Sequence, residues 1–111
     1  MRKLLVLTLI LAGFAPGVAP AETSAPERPA RLGLCAACHG EDGHARIPGA
    51  PNLAGQPYRY LLQALHEYRS GQRSAPVMRA ATGPLTDKDT QELARWYAAQ
   101  SPCKSPQAGS L

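Results

Sequence analysis

The sequence predicts a small all-α domain with about three main helices joined by long loops. Two segments repeat apolar residues at helical spacing, and no segment alternates apolar and polar residues clearly enough to predict a strand. The 111 residues include 11 prolines and 10 glycines, a composition that favours long loops. A chain of this length forms one domain whose apolar core is marginal by itself, so we expect something to supplement that core.

The first 21 residues are typical of a secretory signal. Arg2 and Lys3 give a cationic start, residues 4–15 form an apolar run, and Ala19-Pro20-Ala21 supplies a cleavage site of small residues. The run is too short to span a bilayer, so the processed protein is predicted to lie in the bacterial periplasm without a membrane span. Cleavage removes those two basic residues and lowers the formal net charge from +4 to +2, which gives no reason to expect a nucleic-acid partner.

Two cysteines and a histidine follow the signal in one short run. Residues 22–28 lack periodicity and are predicted to form a loose leader. Pro29 suits a first helical position, and this helix is expected to stop at Gly40 after carrying Cys35-Ala36-Ala37-Cys38-His39. Positions i, i+3 and i+4 share one helix face, so both thiols and the imidazole are directed at the same object. The spacing predicts covalent haem attachment through Cys35 and Cys38, with His39 as an iron ligand.

Three other interpretations of the cysteines are weaker. A thioredoxin-type redox pair needs a βαβ context, which the sequence lacks. A structural zinc site needs about four ligands, and the only other thiol, Cys103, lies far along the chain. A disulfide between Cys35 and Cys38 would be strained on a helix.

Proline and glycine divide the rest of the chain into loops and helices. Apolar residues recur at helical spacing from Pro57 until Gly71, which predicts a second helix. Thr86 is typical of an N-cap, followed by acidic residues in the first turn of a third helix. The predicted segments are a loop over 41–56, the second helix over 57–70, a loop over about 72–85, the third helix from 87 to about 100, and a flexible tail over 101–111. The folded domain therefore covers 29–100.

An iron held by one histidine needs a sixth ligand or an open position. Met78 is the only methionine outside the signal, and it is predicted to lie in a proline-bounded loop rather than on an apolar helix stripe. We therefore predict that its soft thioether binds the iron. His44 and His66 are the alternatives. His44 lies too close to His39 in the chain to reach the opposite haem face easily, and His66 is expected on a helix surface.

The haem motif and three further stretches occur in the order and spacing of a known family. These stretches are 35–40, 51–56, 69–78 and 93–97. With them, nearly all of the processed domain resembles a class I cytochrome c of the short bacterial monohaem type. The resemblance implies an all-helical fold whose first and last helices cross near one haem edge, with the iron bound by His39 and Met78. It also implies that the carbonyl of Pro51, or alternatively of Pro48, accepts a hydrogen bond from His39, and that Arg73 either approaches a haem propionate or is solvated.

These expectations together predict a periplasmic one-electron carrier that is not an enzyme and carries one covalent haem c. Its partners would be redox proteins that donate and accept electrons in transient encounters, and the carrier would be a monomer or a dimer linked through Cys103. Two alternatives stay open: a haem subunit of a periplasmic oxidoreductase, and a haem sensor in which a gas displaces Met78.

Overall fold

The computed structural model describes residues 10, 12–21 and 23–104 and contains four helices in that part of the chain, with no strand. The all-α fold class is therefore confirmed. The helices are α1 (Leu32–His39), α2 (Tyr58–Ser70), α3 (Pro76–Thr82) and α4 (Asp87–Ala98).

The prediction of a loop over about 72–85 is wrong, because this segment contains α3. Pro76 stands in the first turn, where its fixed φ favours the helix and its missing N–H costs no hydrogen bond. Alanines in the second turn have the best helix propensity. A helix of 7 residues completes only two turns, too short for apolar periodicity to reveal it.

The ends of α2 and α4 follow the predicted signals. Gly71 ends α2 in the left-handed conformation, with φ 85°, and its N–H bonds the Tyr68 carbonyl. Thr86 caps α4 in a reciprocal arrangement: its hydroxyl accepts from the Asp89 N–H, and the Asp89 carboxylate accepts from the Thr86 N–H. The first helix begins at Leu32, three residues later than expected, and Gly40 follows its last residue as predicted.

A single apolar cluster holds the helices together. Its buried members are Leu32, Leu61, Leu85, Leu93, Ala94 and Tyr97. The helix α2 packs against both α3 and α4, whereas α1 joins α4 through Leu32 and through hydrogen bonds made beyond its C-terminal end. The site is therefore enclosed by α2, α3 and α4, with α1 at its side.

The predicted signal and tail fall partly outside the described residues, which exclude 1–9, 11, 22 and 105–111. Described residues of the signal have no helix or strand, and Ile10, Phe14 and Val18 are almost fully exposed. Signal cleavage and the boundaries of leader, domain and tail stay predictions. Of the helices within the described ranges, none has the length and apolar character needed to cross a bilayer.

Candidate functional site

A cavity of about 450 Å³ lies between the end of α1, the loop that follows it, and α2, α3 and α4. Its walls are mostly aliphatic, and no carboxylate lines it among the described residues. Pockets of this size and character are typical of small-molecule and cofactor sites. All four of the predicted haem-site residues line it: Cys35, Cys38, His39 and Met78.

The end of α1 forms one wall of the cavity. Because Cys35, Cys38 and His39 stand at positions i, i+3 and i+4 of the helix, they share the face that borders the cavity. The His39 side chain is buried, and its Nδ1 lies 2.9 Å from the Pro51 carbonyl. A carbonyl only accepts, so Nδ1 carries the proton, and the lone pair of Nε2 stays available to a metal. Of the two prolines considered, Pro51 makes this bond.

The two thiols of this wall are half-buried, and no disulfide joins them. Burial raises the pKa of the Cys35 thiol. A thioredoxin-type pair requires the opposite shift, toward a reactive thiolate, so the environment disfavours that alternative. Cys103 is exposed and lies outside the cavity lining, and no group of three or more His, Cys, Asp or Glu side chains within the described residues is placed to hold a metal ion. The geometry therefore gives no support to the zinc alternative.

Met78 reaches the same cavity from α3, although the sequence suggested a loop. The helix therefore replaces the loop as the element that positions this side chain. The buried Thr82 donates a hydrogen bond of 2.7 Å to the Met78 carbonyl, within the helix.

Neither alternative histidine lines the cavity. The His44 Nε2 donates to the Ser101 carbonyl at 3.1 Å, and His44 borders a separate polar groove. The His66 ring lies between α2 and α4, with Nε2 3.4 Å from the Thr90 hydroxyl and Nδ1 3.5 Å from the Arg69 guanidinium. Both histidines thus have protein partners away from the thiols.

Within the described part of the chain, Arg73 is the cation that borders the cavity, and the sequence alone does not predict which groups surround it. The Arg73 guanidinium lies 3.1 Å from the Glu67 carboxylate and within 5.2 and 5.9 Å of the ring centres of Tyr68 and Tyr60. Contacts with Tyr68 and then Tyr60 raise the pKa of Arg73, so it remains a cation. Both tyrosines line the cavity and recur at helical spacing on α2, the one signal from which their presence could have been predicted.

Comparison with known proteins gives a consistent result. The cytochrome c family model matches residues 32–98. The chain is 39% identical over 100 residues to cytochrome c4 of Pseudomonas aeruginosa, which covers 90% of this chain and 49% of that protein. It is 40% identical over 73 residues to cytochrome c-554(548) of Halomonas halodenitrificans, covering 63% of this chain and 88% of that protein.

A solved structure is similar as well. Cytochrome c4 of Acidithiobacillus ferrooxidans matches with a TM-score of 0.55 and 31% identity, over 59% of this chain and 37% of that chain. The chain spans about half the length of the cytochromes c4 that it matches.

Proposed function

Because this chain belongs to the cytochrome c family, whose cofactor is a covalently bound c-type haem, we propose that it is a periplasmic one-electron carrier with one such haem. The observation that carries the proposal is the convergence of two thiols, one imidazole and one thioether on a single apolar cavity. These are the donor types that attach a c-type haem and ligate its iron on both sides. Aliphatic walls suit the porphyrin faces and supply the apolar contact that so small a core needs.

Each of the four residues has a distinct role in this proposal. Cys35 and Cys38 would hold the haem through two thioether bonds, and His39 would hold its iron through Nε2, the nitrogen that the Pro51 bond leaves free. Met78 would supply the second protein ligand to the iron, and its soft thioether would favour the ferrous state relative to a second histidine. The bound haem supplies a one-electron Fe(III)/Fe(II) couple.

The cavity is better suited to a carrier than to an enzyme. With His39 and Met78 both holding the iron, no position would be left open for a small molecule. Among the described residues, the lining contains no carboxylate, and its one histidine is the proposed iron ligand, so neither of the two commonest kinds of general base is free there. A haem subunit that itself oxidises a small molecule at the iron, or a sensor in which a gas displaces Met78, would require an accessible sixth position, whereas a subunit that only relays electrons would not.

Arg73 is proposed to contact a haem propionate. It borders the cavity and is held there by two tyrosine rings and one carboxylate. A guanidinium matches a carboxylate in both charge and geometry, so it would neutralise a propionate at the rim. The propionate would share the Arg73 guanidinium with the carboxylate of Glu67.

We propose that the partners are redox proteins met in brief encounters after export to the periplasm. A carrier has to leave after each electron, which suits a small interface with fast dissociation. The proposal is tested on protein exported to the periplasm of a haem-attaching host. Mass spectrometry should find one haem that survives acid extraction, and stopped-flow mixing should show rapid electron exchange with small redox mediators. Free thiols at Cys35 and Cys38 in the exported protein, or sustained peroxide turnover, would contradict it.

A further inference from the structure

The residues that follow His39 are held by two adjacent side chains of α4. Backbone carbonyls just beyond the end of a helix have no partner in that helix and must find one elsewhere. The Tyr97 hydroxyl donates to the Gly40 carbonyl at 3.0 Å, and the Trp96 indole N–H donates to the Glu41 carbonyl at 2.7 Å. Two consecutive carbonyls directly beyond the iron ligand are therefore bound by two consecutive aromatic residues, 55 and 57 residues away in the chain.

Tyr97 also holds the far end of the loop over residues 40–55. The Tyr97 carbonyl accepts a hydrogen bond of 3.0 Å from the Gly55 N–H. Tyr97 thus binds residue 40 through its side chain and residue 55 through its backbone. The loop that contains Pro51 is fixed to α4 at both of these points.

Short contacts inside the loop transmit this restraint to His39. Gly40 has φ 78°, and a Cβ at this position would lie 2.3 Å from the His44 carbonyl oxygen, so the turn leaves no space for a side chain. The Gly43 carbonyl accepts from the Leu53 N–H at 2.7 Å, which ties the two halves of the loop together. Pro51 lies two residues before Leu53 and holds the His39 ring at 2.9 Å.

The Tyr97 bond is protected from water. Its side chain is 3% exposed, and burial raises the pKa of the phenol, which therefore remains a donor. A buried hydrogen bond is costly to remove because the acceptor then has no partner. The Trp96 bond is more exposed, so we expect it to contribute less.

We propose that Tyr97, assisted by Trp96, is a positioning residue for the iron ligand: by holding both ends of the loop over residues 40–55 against α4, it sets the hydrogen bond between His39 Nδ1 and the Pro51 carbonyl. This inference rests on the proposed function, since it assigns the bond to a haem ligand. It predicts that the Tyr97 hydroxyl, which does not bind the iron itself, controls how basic the His39 imidazole is.

The test compares Tyr97→Phe with Tyr58→Phe in purified, haem-loaded protein. Both variants remove only a phenol oxygen, and among the described residues the Tyr58 hydroxyl makes no hydrogen bond. We measure solvent exchange of the His39 Nδ1–H by NMR in the ferrous state, together with the reduction potential. Tyr97→Phe should speed exchange by about tenfold, the effect of losing one typical hydrogen bond, and should raise the potential, because a less basic imidazole stabilises ferric iron less.

Tyr58→Phe should change neither quantity, and Trp96→Phe should shift both in the same direction by a smaller factor. If Tyr97→Phe lowers stability but leaves both His39 exchange and the potential like those of Tyr58→Phe, the residue is only structural and the inference is wrong. If Tyr97→Phe does not load haem, the Trp96→Phe measurement decides in the same way. Absence of covalent haem in the wild-type protein would instead overturn the proposed function, a distinct result.

Discussion

Leu32 is expected to connect the haem-motif helix to the core. It is 0% exposed and is the one apolar side chain of α1 in the buried cluster with Leu93 and Tyr97. Leu32→Ala deletes three carbon atoms, worth about 2.4 kcal/mol of transfer free energy at about 0.8 kcal/mol for each. The cavity left behind adds to this, so we expect a loss of about 2–5 kcal/mol in the free energy of unfolding.

Leu34→Ala is the matched control for this prediction. Leu34 lies on the same helix and is 57% exposed, so the same deletion should change stability by less than about 0.5 kcal/mol. The assay is denaturant unfolding of haem-loaded protein, followed by far-ultraviolet circular dichroism, with the slope m checked for constancy. Equal losses in the two variants, or a loss below about 1 kcal/mol for Leu32→Ala, would refute the assignment of Leu32 to the core.

Two further predictions concern acid stability and the third thiol. Hydrogen bonds from the Thr86 N–H and hydroxyl lower the pKa of Asp89 below its usual 3.8, so its stabilising effect is complete above that value and is lost as the pH falls through the lower folded pKa. Denaturation midpoints of wild type and Asp89→Asn should therefore converge only below pH 3.8, and a difference that does not depend on pH would contradict this. Cys103 is exposed, so oxidised protein should form disulfide-linked dimers slowly without any change in the haem spectrum. Non-reducing gels of wild type and Cys103→Ser test this, and a wild type that stays monomeric would count against it.

Local signals in the sequence were sufficient to predict most of the fold. Gly71 and Thr86 identify helix ends because capping depends only on residues that are adjacent in the sequence. The haem-motif spacing likewise places both thiols and the imidazole on one helix face, and they border one cavity. In contrast, α3 was missed because 7 residues are too few for a periodic pattern to stand out.

Contacts between distant parts of the chain could not be predicted in the same way. On α4, Tyr97 is buried and Trp96 is half-buried, and their polar atoms bond carbonyls more than fifty residues away. Nothing in the spacing of the sequence encodes that pairing. The contacts of Arg73 could not be predicted either, because Tyr60 and Tyr68 lie on α2, which ends before Arg73.

Access of a small ligand to the iron tests the central proposal most directly. In a carbon monoxide titration of ferrous, haem-loaded protein, the wild type should show no spectral change at concentrations that saturate Met78→Ala. The reason is that the thioether occupies the sixth position in the first protein and not in the second. A wild type that binds carbon monoxide as readily as the variant would contradict the saturated site and favour the enzyme or sensor alternatives. A variant that, like the wild type, fails to bind would show that Met78 is not the sixth ligand.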